Sequence, residues 1–438
     1  MTQPSPQPEP ARTIKVNYLS RVEGEGGLYV RVEGGQVQDV KLNIFEPPRM
    51  FEAFLRGRHF QEVPDITARI CGICPVAYQM SSVHALEAAL GVTITPEVRL
   101  LRRLLYCGEW IESHALHIYL LQAPDFLGYP NAIAMAADHP AEAGRGLRLK
   151  KIGNALLELL GGRATHPVSV CVGGFYRAPR RAELLALRDD FRWGLNASME
   201  TAKWVSQFKL PEFTPDYEMV SVSHPDEFPM NEGHVISSRG VDVAPAEFES
   251  AFIEEHVAHS TALHSHSVRT SASYFVGPLA RVNLNFDKLS PLAQQAARDS
   301  GIAWPSRNPY AGITARAVEM VHAFEEALGI IDRFEEPGRS RVEIEVRAGE
   351  GSAATEAPRG VLYHRYRIDS RGLVEFAKIV PPTAQNYRRM EDDLRLLLPG
   401  VLDRPDEEIA RSCENLVRCY DPCISCSTHF LKVRIDRT

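Results

Sequence analysis

The sequence predicts a helix-dominated α+β fold: a long-helix core, an N-terminal sheet and peripheral α+β elaborations. Three observations predict it. Residues 97–123, EVRLLRRLLYCGEWIESHALHIYLLQA, carry apolar side chains at spacings of three and four, the period of a helix. Ile14, Val16 and Tyr18 alternate, and GLYVRVEGG followed by QVQDVKLNIFE reads as a hairpin turning at Gly34-Gly35. Two C-x-x-C pairs, Cys71/Cys74 and Cys423/Cys426, sit at opposite ends of the chain, so a joint site would hold the whole chain around one centre.

Taken in order, residues 1–12 are rich in Pro, Gln and Glu without periodicity and read as a disordered tail, leaving 13–438 as a single domain. Strands fill 13–46. The first cysteine pair comes next, then a helix around MSSVHALEAALG that Gly91 can end. Pro124 ends the long helix, and further helices are expected near 146–160, 181–208, 315–334, 384–398 and 405–418. Residues 209–290 mix short apolar runs with turn residues, a peripheral α+β region. Residues 341–382 are strand-rich: RVEIEVR at 341–347, then LYHRYRID and LVEFAKIV as a hairpin around Ser370-Arg371-Gly372.

Composition excludes several classes. The 438 residues carry 49 Lys+Arg against 56 Asp+Glu, a net charge of -7, which argues against nucleic acid as partner. No run approaches the ~18 apolar residues of a membrane span. MTQPSPQPEP is no secretory signal, so a cytoplasmic location is expected. No glycine-rich phosphate loop is convincing.

Eight cysteines are too few for a disulfide scaffold in this length, and a cytosol keeps them reduced. Gly72 lets Cys71 and Cys74 turn toward one ion, and Cys423 and Cys426 repeat the arrangement with His429 beyond. Four thiolates suit a soft centre: zinc, iron–sulfur or nickel. A closed structural zinc site, making this a zinc-stabilised interaction protein, fits the spacing equally well. Cys107, Cys171, Cys413 and Cys419 complete no such spacing and read as core residues. His114 and His117 share one helix face and suit buried hydrogen bonds. HVAHSTALHSHS, with His256, His259, His264 and His266, reads as a polar helix end or partner interface before a second metal site.

RICGIC and DPCISCSTH, taken with RVEG at 21–24, ESHALHIYLLQAPDF at 112–126, GGRATHP at 161–167 and APRG at 357–360, resemble in order the motifs of the nickel–iron hydrogenase large subunit. Tyr78 stands where many relatives carry a histidine, and Glu25 where many carry another; the first departure resembles the cytoplasmic NAD(P)-coupled branch. A related quinone-site subunit of respiratory complex I shares the fold but has lost the four cysteines.

The resemblance implies reversible heterolytic cleavage of dihydrogen, with polysulfide reduction in some relatives. It implies that Cys71, Cys74, Cys423 and Cys426 ligate nickel, and that Cys74 and Cys426 bridge to an iron carrying cyanide and carbon monoxide. It implies Cys423 and then Glu23 as proton acceptors, and Arg359 over the open metal position with Asp125 and Asp421 as partners. Glu52 and His429 would ligate a Mg²⁺-like ion. Partners would be an iron–sulfur small subunit, flavin- and NAD(P)-binding diaphorase subunits, maturation proteins and a C-terminal protease cutting after His429. Leu431, Val433 and Ile435 alternate with polar residues, so the tail is expected to pair as a strand before that cut.

Overall fold

The computed structural model describes residues 12–47 and 49–428. Of the tail expected over 1–12, residues 1–11 lie outside the described residues and Arg12 already belongs to the first strand; the tail strand expected after His429 also lies outside them. An antiparallel sheet opens the chain: β1 (Arg12–Val16), β2 (Gly26–Glu33) and β3 (Gln36–Ile44). Leu28 faces Leu42 and Val30 faces Val40 across its hairpin, and all four are buried. The alternation is therefore the core-facing side of this sheet.

Helix α1 (Pro75–Leu90) starts directly after Cys74 and ends at Gly91, as expected. Helix α2 (Pro96–Leu116) is capped by Thr95, whose hydroxyl accepts the Val98 N–H at 3.3 Å. The expected helix to residue 123 differs from what forms. After α2 the backbone widens into a π-helical turn, His117–Gln122, and α3 (Ala123–Leu127) follows with Pro124 in its first turn. Proline is tolerated there because the first-turn N–H has no helical partner anyway.

Helix α2 differs from a surface helix in another way. Its residues from Leu101 to Ala115 are all buried, including Arg102, Arg103, Glu109 and Glu112. Such charges persist inside only when paired. Arg102 makes two hydrogen bonds to Glu87, at 2.8 and 2.6 Å. Arg103 pairs with Glu227 and Glu326. Around α2 pack α4 (Pro140–Gly161) and α6 (Gly312–Arg333), and α5 (Arg188–Val205) packs outside them against both. A short helix, Arg181–Leu185, precedes α5, so the expected 181–208 helix is broken. His114 on α2 meets Glu319 on α6 at 2.9 Å, and Arg281 joins Glu319 to Glu356.

The 209–290 region holds a mixed sheet of β4 (Met219–Ser223), β5 (His234–Ser237) and β6 (Asp242–Val243), then the pair β7 (Phe252–Glu255) and β8 (His264–Ser267). Strand β9 (Phe275–Val276) joins the first sheet beside β4. HVAHSTALHSHS is thus a loop entering β8, not a helix end.

Residues 341–347 correct an expectation: they form no strand ladder, only a bridge from Arg341 to Gly174. The sheet edge is taken instead by β10 (Gly349–Ala357), which pairs with β11 (Gly360–Ile368), itself paired with β12 (Val374–Val380). Helix α1 lies so close to β10 that a Cβ on Gly351 would stand 2.3 Å from the Ala85 carbonyl oxygen. Close approach, not strand propensity, selects the small residues of β10. Helices α7 (Pro382–Leu397) and α8 (Asp406–Cys419) complete the chain before the second cysteine pair.

Candidate metal centre

The two cysteine pairs meet at the joint between α1 and the loop after α8. Cys71 Sγ lies 3.6 Å from Cys423 Sγ, 352 residues away in sequence. The ligand atoms of Cys71, Cys423 and Cys426 lie within 4.8 Å of one another, and Cys74, buried like them, precedes the first turn of α1. The backbone N–H groups of Ile73 and Cys74 donate to Cys71 Sγ at 3.3 and 3.2 Å. These bonds favour a thiolate there.

Side chains unnoticed in the sequence hold both loops. The Arg49 guanidinium donates to the Ile70 carbonyl at 2.7 Å and also to the Ser425 carbonyl, strapping one cysteine loop to the other. Glu109 on α2 accepts the Val76 and Ala77 N–H groups at 2.6 and 3.0 Å, capping α1 behind Cys74. Thr383 accepts the Cys423 N–H at 3.0 Å, and Tyr387 meets Ser427 at 2.9 Å. None of these has a spacing signal, because each acts only through a neighbour distant in sequence.

Glu23 stands where the sequence placed it. The Cys423 thiol donates to Glu23 Oε2 at 3.0 Å, the Ser425 N–H donates to the same oxygen at 3.1 Å, and Glu23 and Cys423 pair as a short parallel bridge. Gly24, at φ +87°, makes the approach possible; a Cβ there would fall 2.7 Å from Ile424 Cβ. Beyond Glu23, the Ser425 hydroxyl donates to Glu46 Oε2 at 3.0 Å.

Arg359 is buried and pairs with Asp421, donating from Nε to its carbonyl at 2.9 Å and from Nη2 to Oδ1 at 3.2 Å. Burial opposes its charge, but Asp421 and the cysteine sulfurs outweigh this and hold it protonated. Burial likewise opposes the Asp421 charge, yet Arg359, His117 and Arg316 keep that carboxyl below its usual range. Arg359 Nη1 has no hydrogen-bond partner among the described residues. Asp125 is not brought to Arg359. Its oxygens are taken by Arg418, at 2.7 and 2.9 Å, and by Arg21. Asp125 thereby holds the turn carrying Glu23.

Glu52 lies apart from the cysteines, accepting the Ile379 N–H at 2.8 Å, and burial pushes its carboxyl up to about 7. Its expected co-ligand His429 lies outside the described residues. Tyr78 is buried, its hydroxyl lacks a partner among the described residues, and burial followed by the nearby cysteine sulfurs pushes it well up.

The donor set fits a soft cation. Hydrogen bonds from Cys423, Cys426 and Cys74 hold the Cys71 thiol down, whereas burial pushes that of Cys423 well up. Without a cation the cluster therefore supports less than full ionisation; a bound metal ion deprotonates coordinating thiols outright. Two buried guanidiniums, Arg359 and Arg316, supply further positive charge around Asp421.

Four buried thiols drawn together from the two ends of the chain define a candidate metal centre. Residues 49–145 and 270–429 match the nickel-dependent hydrogenase family, and the chain belongs to it. It is 33% identical to sulfhydrogenase 1 subunit alpha of Pyrococcus furiosus over 426 residues, covering 96% of this chain and 98% of that one. The sulfhydrogenase 2 subunit alpha of the same organism is 35% identical over 432 residues, covering 96% and 100%. Among solved structures, an NAD⁺-reducing [NiFe]-hydrogenase in the H₂-reduced state superposes with a TM-score of 0.83 at 27% identity, covering 95% of this chain and 99% of that one. The chain is a catalytic large subunit of a nickel–iron hydrogenase, an oxidoreductase acting on dihydrogen. Among the described residues no helix is long and apolar enough to cross a membrane.

Proposed function

We propose that Cys71, Cys74, Cys423 and Cys426 hold the nickel–iron centre and that Cys423 and Glu23 form its proton exit. Held there, the centre would supply a Lewis-acidic, redox-active position at which dihydrogen can be polarised and split. The observation that carries the assignment is Cys423 Sγ at once 3.6 Å from Cys71 Sγ and 3.0 Å from Glu23 Oε2. A proton on the Cys423 sulfur needs no movement of the backbone to reach Glu23. From there Ser425 and Glu46 offer hydrogen-bonding groups leading outward. Arg359 keeps a fixed positive charge beside the sulfurs, and its Nη1, without a partner among the described residues, can orient a small molecule. Asp421 fixes that guanidinium, and Asp125 positions Glu23 through Arg21.

Cyanide and carbon monoxide on the iron complete the centre in this proposal, and Glu52 with His429 holds a Mg²⁺-like ion. Carboxylate oxygen suits that ion. The other four cysteines are buried away from any C-x-x-C spacing, so electrons leave through an iron–sulfur small subunit. The likeness to an NAD⁺-reducing enzyme supports flavin- and NAD(P)-binding subunits as the onward path, and a cytoplasmic location with it. The sulfhydrogenase relatives support polysulfide reduction as a side activity. Maturation proteins build the centre, and a protease cuts after His429.

Metal analysis with infrared spectroscopy tests the core of this. About one nickel and one iron per chain are expected, with cyanide and carbonyl bands. Activity on dihydrogen in protein lacking nickel would overturn the assignment. Intact mass of the metal-loaded subunit tests the cut: a chain ending at His429 is expected, and a full-length, fully active one would show that closure needs no processing.

A further inference from the structure

The histidine-rich loop brings a second constellation together, away from the cysteines. His259, His264 and Glu391 each place one ligand atom within 4.8 Å of the other two. His259 Nε2 lies 2.7 Å from Glu391 Oε1, and the two imidazoles stand nearly perpendicular, 5.5 Å between centroids. His264 is 2% exposed, and its Nε2 is buried with no hydrogen-bond partner among the described residues. A buried imidazole nitrogen left unpaired costs free energy, which a bound ion at this cluster would recover.

We propose that His259, His264 and Glu391 form a second metal site, separate from the nickel–iron centre, that takes a Zn²⁺-class divalent ion and keeps its fourth position for water. Two imidazoles and one carboxylate are a ligand set that zinc accepts, whereas magnesium prefers oxygen alone. Bonds of about 2.0–2.1 Å set tetrahedral ligand atoms about 3.3 Å apart, so the constellation closes on an ion by small side-chain movements. The surrounding contacts already orient the ligands. The Leu42 N–H donates to Glu391 Oε1 at 2.8 Å, and Tyr387 stacks on His264. Arg395 pairs with Glu391 Oε2 at 3.6 Å and is also bonded to the Val40 carbonyl and to Asp392. Access exists as well: His259 lines a surface groove of 650 Å³ along β1 to β3, with Lys15, Tyr18 and Phe45. An ion there would tie the β7–β8 loop to α7, whose Tyr387 reaches Ser427 beside Cys426.

The test uses the assembled enzyme with nickel and iron in place, so that the cysteines are occupied. It is washed with EDTA and titrated with Co²⁺, then with Zn²⁺ as competitor. One equivalent of Co²⁺ with the intense visible absorption of a four-coordinate site is expected, displaced by Zn²⁺. His259→Ala and His264→Ala should each weaken it beyond the about 10–100-fold that even outer-sphere changes cost, with nickel, iron and dihydrogen oxidation retained. No such absorption, or the same absorption in both variants, would overturn the proposal. His259 is partly exposed, so its variant decides the matter even if His264→Ala does not assemble.

Discussion

Tyr78 is a buried hydroxyl beside four sulfurs with no partner among the described residues. Such a group either reaches the bound centre or is an unpaired burden. Tyr78→Phe discriminates: nickel content should be unchanged and the infrared bands of the iron ligands should shift. Unmoved bands would show that the hydroxyl does not touch the centre. Glu23 gives a second expectation. Glu23→Gln keeps the shape and an acceptor for the Ser425 N–H but removes the base, so turnover and hydrogen–deuterium exchange should fall ~10²-fold or more with metals retained. Near-normal exchange would place the relay elsewhere. At this scale the sequence was legible where chemistry depends on spacing, as with the cysteine pairs. Arg49, Glu109 and Thr383 were not legible, because their roles exist only once distant loops meet.

Among the elements, α2 and the turn that follows it carry the least expected finding. Apolar spacing foretold the helix but not that its charged residues would be buried, since periodicity cannot distinguish a solvated carboxylate from a paired one. The end of the helix was misplaced for a related reason: Pro124 breaks the pattern but opens α3. The widened turn brings Asp125 onto Arg418 and Arg21 rather than onto Arg359. Breaking one partner of a buried ion pair costs about 3–5 kcal/mol. Asp125→Asn should therefore lower stability by about 3 kcal/mol in denaturant unfolding, and lower exchange activity by slackening Glu23, without altering nickel content. Wild-type stability in this variant would leave Asp125 no positioning role. Strand β10 illustrates another limit: Gly349 and Gly351 are selected by helix α1 lying against them, which no local pattern announces.

Across the molecule, buried neutral histidines contribute to the response to acid. Burial holds His84 down to about 4 and His117 to about 3, against an ordinary value of 6.5. Between those values the unfolded chain binds more protons than the native one. Their contribution is thus fully present above about pH 6.5 and is lost as pH falls toward the folded values. Each group can remove up to about 1.4 kcal/mol per pH unit in that window. Buried carboxyls act in the opposite sense, Glu52 and Glu356 held up to about 7 and Glu254 to about 8, so the check is a comparison: from pH 7.5 to 5.5 the wild-type denaturant midpoint should drop relative to that of His84→Gln. An identical slope in that variant would show that His84 is protonated freely in the native state.

The strap from Arg49 to Ile70 and Ser425 also has a consequence in time. During synthesis the first cysteine loop leaves the ribosome hundreds of residues before its counterpart, so for most of translation it is half a site with an idle guanidinium beside it. The four-thiol site is therefore complete only once the second loop has docked. Until the last loop docks, Cys71 and Cys74 are exposed to any other thiophilic ion or oxidant in the cell, and an escort that shields or preloads them would act in that interval.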